Sequence, residues 1–349
     1  MLNIIKENQL IGRLAAGFPR SPFQINRLHE SDAEILSVTR QGEARFAFTT
    51  DTIAEEISTG LYTDPWLIGW MTVMVNMSDL AAVGARPLGI LIAETFPEDA
   101  PAEYVQALQR GISDACLRCG TYVLGGDTNF ASIASMTGCA IGIIDNGRAL
   151  SRVGCSPGEI LYTSGPLGIG SAFAFAQLGG AATVLPPYRP LARLREGCLL
   201  RSYASCCMDT SDGVLTTLDQ LMRLNGSGFS LDPGWESALD PSAHGLAESL
   251  EVPDWFVLAG EHGEFELLFT IPCGRTDEFL NEAGTIGWQP GRIGHTVGEP
   301  EILVSSAAGH VRLNTAGMRN LSVVARQDIR RYLAALRNIA ERQEGFTVS

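Results

Sequence analysis

Asp79 is the ionisable residue whose setting most needs a chemical reason. It lies in Val75-Asn76-Met77-Ser78-Asp79-Leu80-Ala81-Ala82-Val83-Gly84-Ala85-Arg86-Pro87, among small and apolar neighbours. A carboxylate held there needs a cation, a helix N-terminus or an arginine as partner. Hydrogen bonding to nearby backbone is the plainer alternative. Comparable sites recur along the chain. Phe46-Ala47-Phe48-Thr49-Thr50-Asp51-Thr52 reads as a strand ending in a Thr/Asp cluster, where loops gather and ligands bind; an N-cap role for Asp51 is the alternative. Tyr122-Val123-Leu124 runs into Gly125-Gly126-Asp127-Thr128, read as a strand-to-turn site. Its glycines let backbone approach a phosphate, and its aspartate can hold the counter-cation. Met208-Asp209-Thr210-Ser211-Asp212-Gly213 reads as a strand-to-helix turn, with the helix from Val214 aiming N–H groups at the site. Asp51, Asp79, Asp127, Asp209 and Asp212 thus all sit near small residues at element ends. Such a set of hard oxygen ligands suggests Mg²⁺ holding a polyphosphate. Glu261-His262-Gly263-Glu264-Phe265-Glu266, ahead of an apolar strand, is a further candidate ligand face.

Composition narrows the chemistry. Lys6 is the only lysine among 25 basic residues, and no GxxxxGK[ST] run exists. Phosphate would therefore have to be held by arginine, metal ions and backbone N–H groups. The net charge of −14 argues against nucleic acid and against an anionic membrane as partners. A chain of 349 residues exceeds what one core usually serves, so two domains are expected. Its eight cysteines do not read as a disulfide framework, and the lone Cys116–Cys119 pair is weak evidence for zinc. The sequence shows neither a signal peptide nor an uninterrupted apolar stretch of bilayer length, and a cytoplasmic location is expected.

The elements that must position these residues follow from hydrophobic period and breakers. Met1 to Pro22 reads as a short N-terminal helix carrying Leu10, Ile11 and Leu14. An apolar helix is expected from Trp66 to Val83, stopped by Gly84 and Pro87. Buried strands are expected at Leu88–Ala93 and Met136–Ile144, with an amphipathic helix from Ala102 to Cys119 between them. Asn146-Gly147-Arg148 is a hairpin-type turn, and the domain boundary is expected near Gly154. Beyond it come the strand Ile160-Leu161-Tyr162, a helix opened by Gly165 to Gly170 and running through Leu178, and a rigid bend at Pro186-Pro187-Tyr188-Arg189-Pro190. A helix then starts near Leu191, another spans Val214 to Leu224, and a strand spans Leu267 to Ile271. Arg292-Ile293-Gly294 and Gly309-His310 read as hairpin edges of a last sheet, and Gln327 to Gln343 as a terminal helix.

In collinear order, from Gln9 to about Gly317, the chain resembles the thiamine-monophosphate kinases of the aminoimidazole-ribonucleotide-synthetase superfamily. The resemblance is carried by Thr50-Asp51-Thr52, Asn76 to Pro87, Gly125-Gly126-Asp127-Thr128, Gly147-Arg148-Ala149-Leu150-Ser151-Arg152, Arg189-Pro190, Ser211-Asp212-Gly213 and Glu266-Leu267-Leu268-Phe269-Thr270. It implies an α/β (α+β) two-domain PurM-like fold. Residues 1–153 would bind ATP and Mg²⁺ and form a dimeric β-barrel with a second copy, residues 154–325 would form an α/β domain, and residues 326–349 a helix and tail. It further implies metal ligation by Asp32, Thr50, Asp51, Asp79, Asp127 and Asp212. Nucleotide contacts would come from Gly125, Gly126, Asp127, Thr128, Arg152 and Ser211, and acceptor contacts from Glu56, Asp209 and Glu264, with Asp127 and Asp212 central to catalysis. The implied reaction passes the γ-phosphoryl of ATP to thiamine monophosphate in a homodimer. The alternatives are an ATP-dependent superfamily enzyme acting on another, amine-bearing substrate and a non-catalytic nucleotide-binding protein. The chain departs from the family pattern at four places. Glu30-Ser31-Asp32 replaces Gly-Asp-Asp, removing one carboxylate, and Glu55-Glu56-Ile57-Ser58-Thr59 replaces Glu-Gly-Val-His-Phe. Glu261 to Leu267 replaces Gly-Gly-Glu-Asp-Tyr-Glu-Leu, and Asn129-Phe130 stands where an arginine usually follows.

Overall fold

The computed structural model describes residues 12, 21–37, 44–145, 147–179, 185–306, 309–318, 321 and 329–343. The expected N-terminal helix and Asn146 lie outside the described residues. The first half runs β1 (Glu34–Ser37), β2 (Ala44–Thr52), α1 (Ala54–Ser58), α2 (Pro65–Ala82), β3 (Arg86–Pro97), α3 (Ala102–Cys119), β4 (Val123–Ala131) and β5 (Ser135–Asp145). The second half runs β6 (Ile160–Thr163), α4 (Ile169–Gly179), α5 (Leu194–Leu200), β7 (Cys207–Asp209), α6 (Val214–Asn225), β8 (Gly228–Leu231), α7 (Pro241–Leu250), β9 (Leu267–Ile271), α8 (Thr276–Thr285), β10 (Gly291–Val297), β11 (Ile302–Ser306), β12 (Gly309–Arg312), α9 (Thr315–Met318) and α10 (Ile329–Gln343). Five strands form one sheet in the order β1-β2-β5-β3-β4, and seven form the other in the order β12-β11-β8-β10-β6-β9-β7. The protein is therefore a mixed α/β structure built on two sheets, and Gly154 falls in the connection between them.

Helix α2 organises both halves. Asp64 caps it by accepting a hydrogen bond from Trp66 N at 3.0 Å, and Pro65 occupies the first turn, where its missing N–H does no harm. No charged residue follows until Asp79, so nearly every side chain from Leu67 to Ala82 is buried. The helix stops at Gly84, whose φ of +69° suits glycine. It packs on β2, β3 and β5 and, more extensively, on α3. That second contact depends on glycine. A Cβ at Gly69 would lie 2.0 Å from Leu108 O, and one at Gly111 would lie 2.0 Å from Trp66 O. The two backbones are in contact, with no room for a methyl group.

The second half closes on the other side of α2. Gly197 of α5 meets the Ala81 carbonyl so closely that a Cβ there would lie 2.1 Å from it. Trp70 Nε1 donates to Pro190 O at 2.9 Å. The Arg189 guanidinium sits 4.5 Å from the ring centre of Trp66, which stacks on Trp70 at 5.0 Å. Apolar residues from both sheets share one core around α2, and a second core within the second half holds Leu161, Phe229, Leu231, Ile293 and Val304.

Three expectations need correction. Gly125 to Thr128 do not form a turn: they lie inside β4, which pairs in parallel with β3, Ala93 standing opposite Asp127. Backbone pairing with an existing strand outweighs the local preference of two glycines for a turn. Arg292 to Gly294 are not a hairpin edge but lie within β10, at a register shift, in the interior of the seven-stranded sheet. The helix expected near Leu191 begins at Leu194.

The α2–α3 contact gives a direct test. Replacing Gly111 by alanine forces the helices apart, and we expect a loss of roughly 1–3 kcal/mol in unfolding free energy. Chemical denaturation of the variant measures this, and an unchanged midpoint would contradict the packing described.

Candidate functional site

The residues picked out by the sequence fall into three groups in space. The first lies where the C-terminal end of α2 meets β2, β7 and the loop of residues 30–32. Carboxylate oxygens of Asp32, Asp79 and Asp209 all come within 4.8 Å of one another. Asp51, at the end of β2, interacts directly with Asp79, while its backbone N donates to Asn76 Oδ1 at 3.1 Å. Two hydroxyls donate into the group: Thr49 to Asp79, and Ser78 to Asp209 Oδ2 at 2.5 Å. Ser211 donates to the other oxygen of Asp209 at 3.0 Å. Arg152 closes the group from below, its Nη2 2.7 Å from Asp32 Oδ1. The loop that carries Asp32 is itself tied to this arginine's segment, because Arg152 N and Ser151 Oγ both donate to Glu30 O.

The electrostatics of this group are unfavourable without a cation. Burial pushes the Asp79 carboxyl well above its usual range, and Asp51, Asp209 and Asp32 push it further. Burial and then Asp32 raise Asp209 from 3.8 to about 7, against the pull of Ser78, Ser211 and Arg152. Burial also raises Asp51. Asp32 Oδ2 is buried with no hydrogen-bond partner. A cluster of carboxylates with an orphaned oxygen and one arginine is the donor set a hard divalent cation requires. The residues therefore fit magnesium.

The second group lies at the acceptor-side candidates. Glu264 is buried; its Oε2 accepts from Gly168 N at 2.8 Å, and its Oε1 has no partner. Burial raises its pKa to about 8. Glu56 on α1 also keeps an orphaned buried oxygen, and burial raises its pKa. Between the two lie aromatic rings that the sequence reading passed over. Phe173 and Tyr188 stack at 4.6 Å. Tyr62 and His262 stand edge to face at 5.6 Å, with Tyr62 Oη 3.3 Å from His262 Nε2. Burial lowers the His262 pKa to about 4, which keeps its ring neutral. Phe173 and Tyr188 also wall a cavity of about 170 Å³ with Leu61, Trp66, Leu67 and Arg189. No local pattern in the sequence marks this group, because its members come from four separate segments.

The remaining candidates stand apart. Asp212 is exposed on the turn before α6. Gly125, Gly126, Asp127 and Thr128 are all exposed on β4, with Asn129 Nδ2 donating to Asp127 Oδ2 at 2.7 Å. Thr50 donates its hydroxyl to Gly138 O at 2.8 Å. Asp209, expected on the acceptor side, stands instead with Asp32 and Asp79, because β7 runs inward and the turn carries Asp212 outward.

Residues 30–144 match the family described as AIR synthase related protein, N-terminal domain. A thiamine-monophosphate kinase of Archaeoglobus fulgidus is 31% identical over 66% of this chain and 74% of its own length. The enzyme of that name from Escherichia coli K12 is 30% identical over 69% of this chain and 75% of its own. The solved structure of AaThiL complexed with AMPPCP and TMP superposes with a TM-score of 0.70, covering 87% of this chain and 96% of the other at 22% identity. At that identity the superposition establishes the fold. Among the described residues no helix is long and apolar enough to cross a membrane.

The raised carboxylates fix the sign of a pH effect. A carboxyl with a higher pKa folded than unfolded holds its proton more tightly in the native state, so metal-free stability falls as pH rises between the two values. For Asp209 that window runs from 3.8 to about 7. In chelator, the melting temperature should decline across this range. Magnesium should restore it above pH 7 and do little near pH 5. Asp209→Asn should flatten the slope in chelator. A melting temperature that rises steadily from pH 4 to 7 without metal would refute the assignment.

Proposed function

We propose that this chain, which belongs to the thiamine-monophosphate kinase family, transfers the γ-phosphoryl group of ATP to thiamine monophosphate and releases thiamine diphosphate. The observation that carries the reading is the cluster of Asp32, Asp51, Asp79 and Asp209, closed by Arg152, at the meeting of the two sheets. The relatives named for this activity, and the fold shared with a protein complexed with AMPPCP and TMP, support it.

The site's parts would divide the work as follows. Bound magnesium ions would neutralise charge on the polyphosphate. Asp32, Asp51, Asp79 and Asp209 would hold them, with Asp127 and Asp212 as further acidic contributors at the open side and Thr50 at the end of β2. We assign Asp209 to this set, and not to the acceptor, because it stands among the other carboxylates. Arg152, fixed by Asp32, would meet a phosphate from the protein side; burial opposes its charge, but Asp32 keeps its pKa raised. Ser211 and the Gly125–Thr128 segment would supply polar and backbone contacts to the nucleotide. A phosphate monoester is largely dianionic near neutral pH, so the acceptor needs no strong base. Positioning and charge neutralisation then carry the rate.

On the acceptor side, Glu56 and Glu264 would face the cationic thiazolium ring. Rings such as Tyr188 and Phe173 suit a flat cation that also has an apolar face. This reading keeps residues 1–153 as the nucleotide-binding and dimerising domain, 154–325 as the second domain and 326–349 as a terminal helix and tail. The half-exposed outer face of the first sheet, with Phe46, Phe48, Ile141 and Ile143, supports a homodimer closed into a β-barrel. A cytoplasmic location suits an enzyme that consumes ATP.

The test is a product assay. With ATP, magnesium and thiamine monophosphate, thiamine diphosphate should accumulate. Asp79→Asn should lower the rate by at least roughly 100-fold, the scale of losing one preorganised electrostatic contact. If the protein binds ATP with magnesium yet makes no thiamine diphosphate, the acceptor is another metabolite; an amine-bearing one would then be the first to try.

A further inference from the structure

Arginines from separate segments meet at the turn that follows β5. Arg45 of β2 donates from Nη1 to Gly147 O at 3.0 Å. Arg201, just after α5, donates from Nε to Arg148 O at 3.1 Å and from Nη2 to Asp145 O at 2.9 Å. Arg86, at the start of β3, pairs with the Asp145 carboxylate at 3.1 Å. Arg148 belongs to the turn and reaches Ala204 O at 2.6 Å. The stem of Arg201 is fixed as well: it lies over Gly84, where a Cβ would come within 2.4 Å of its Cγ.

Charge at this turn runs against the rest of the chain, whose net charge is −14. Asp145 is matched by Arg86. Among the described residues Arg45, Arg148 and Arg201 have no carboxylate in ion-pair contact. The other acid of the neighbourhood is Glu196, which faces Cys198 together with Asp145, Arg86 and Arg201. Bonds to carbonyls occupy part of each guanidinium and leave its positive charge unneutralised. A guanidinium carries five N–H donors in a planar fork, the geometry that grips phosphate oxygens. The carbonyls of the turn already hold these forks in place, so little side-chain freedom is lost when an anion arrives. The turn is also remote from the aspartate cluster. Arg45 and Asp51 stand at opposite ends of β2, about 20 Å apart at ~3.4 Å per residue.

We propose that the turn of residues 145–148 is a second anion site, separate from the metal cluster, and that it takes a diphosphate group without a metal ion. Arg45, Arg148 and Arg201 supply the charge and the spare N–H donors, while Arg86 stays with Asp145. Positive charges without counter-ions at one turn match a multiply charged anion better than a single carboxylate. Free inorganic diphosphate and a diphosphate ester share the chemistry that the site recognises. The site is independent of the phosphoryl-transfer reading above.

Calorimetric titration of protein stripped of metal on a chelating resin tests it. Without a cation the aspartate cluster repels anions, so binding there does not register. Inorganic diphosphate should bind at low ionic strength, and more weakly as sodium chloride is added. Arg45→Gln and Arg201→Gln should each weaken it by at least about tenfold, the scale of one lost charged hydrogen bond. Arg45→Gln leaves β2 paired on both sides. It should keep a wild-type melting temperature without ligand, and it decides the matter if Arg201→Gln does not fold. Thiamine diphosphate is titrated in a second arm. An arginine-dependent affinity for either anion sustains the site, and the tighter arm names the source. If neither anion binds the wild-type protein, the proposal is overturned. Binding that Arg45→Gln leaves unweakened overturns it too.

Discussion

Like charges held together at the end of a buried helix constrain everything else in this protein. Asp79 stands at the C-terminal end of α2, where the helix dipole already disfavours an anion. Asp51, Asp209 and Asp32 crowd the same place and raise its pKa. Water reaches the group only in part, since Asp209 is buried and Asp32, Asp51 and Asp79 are half-buried. The surroundings hold the group in place: Ser78 reaches across to Asp209, Arg152 pins Asp32, and Gly197 brings α5 down against Ala81. The uncharged, apolar character of α2, with Gly69 at its closest backbone contact, follows from the same need. A helix that must lie against two sheets and touch the backbones of α3 and α5 has no room for charge except at the end where charge is used.

The acceptor-side group obeys a different rule. There the carboxylates Glu56 and Glu264 are separated by rings and do not touch one another. Burial is the leading cause of their raised pKa values, as it is for Asp79 and Asp209, but here no cluster of converging carboxylates adds to it. His262, neutral because it is buried, adds no compensating charge. One site thus concentrates negative charge for hard cations; the other sets two acids apart from each other in an aromatic wall. These are the two environments needed to tell a metal-bound polyphosphate from a flat organic cation.

Much of this was legible in the sequence wherever the signal was local. Helix α2 followed from the apolar run beginning at Trp66 and from its stop at Gly84, and the helix Ala102–Cys119 from its apolar period. Asp79 announced itself by being charged among small residues. What the sequence concealed were outcomes of long-range pairing. Asp209 and Asp212 sit three positions apart in one turn, and spacing alone does not say which turns inward; the pairing of β7 with β9 decides it. Gly125-Gly126 reads as a turn until β3 is present to pair with it. The Tyr62, Phe173, Tyr188 and His262 group has no sequence signature, because its members meet only when the loop after α1, helix α4 and the loops before α5 and β9 are assembled.

The paired indoles at the start of α2 have a spectroscopic consequence. Trp66 and Trp70 belong to the first half of the chain, yet the cation over Trp66 and the carbonyl bonded to Trp70 both come from the second, at Arg189 and Pro190. Rings stacked at 5.0 Å couple their electronic transitions, and a guanidinium over one face shifts the emission of that ring. The molecule therefore carries its own optical gauge of how tightly the two halves are closed, readable by near-ultraviolet dichroism and fluorescence without any label.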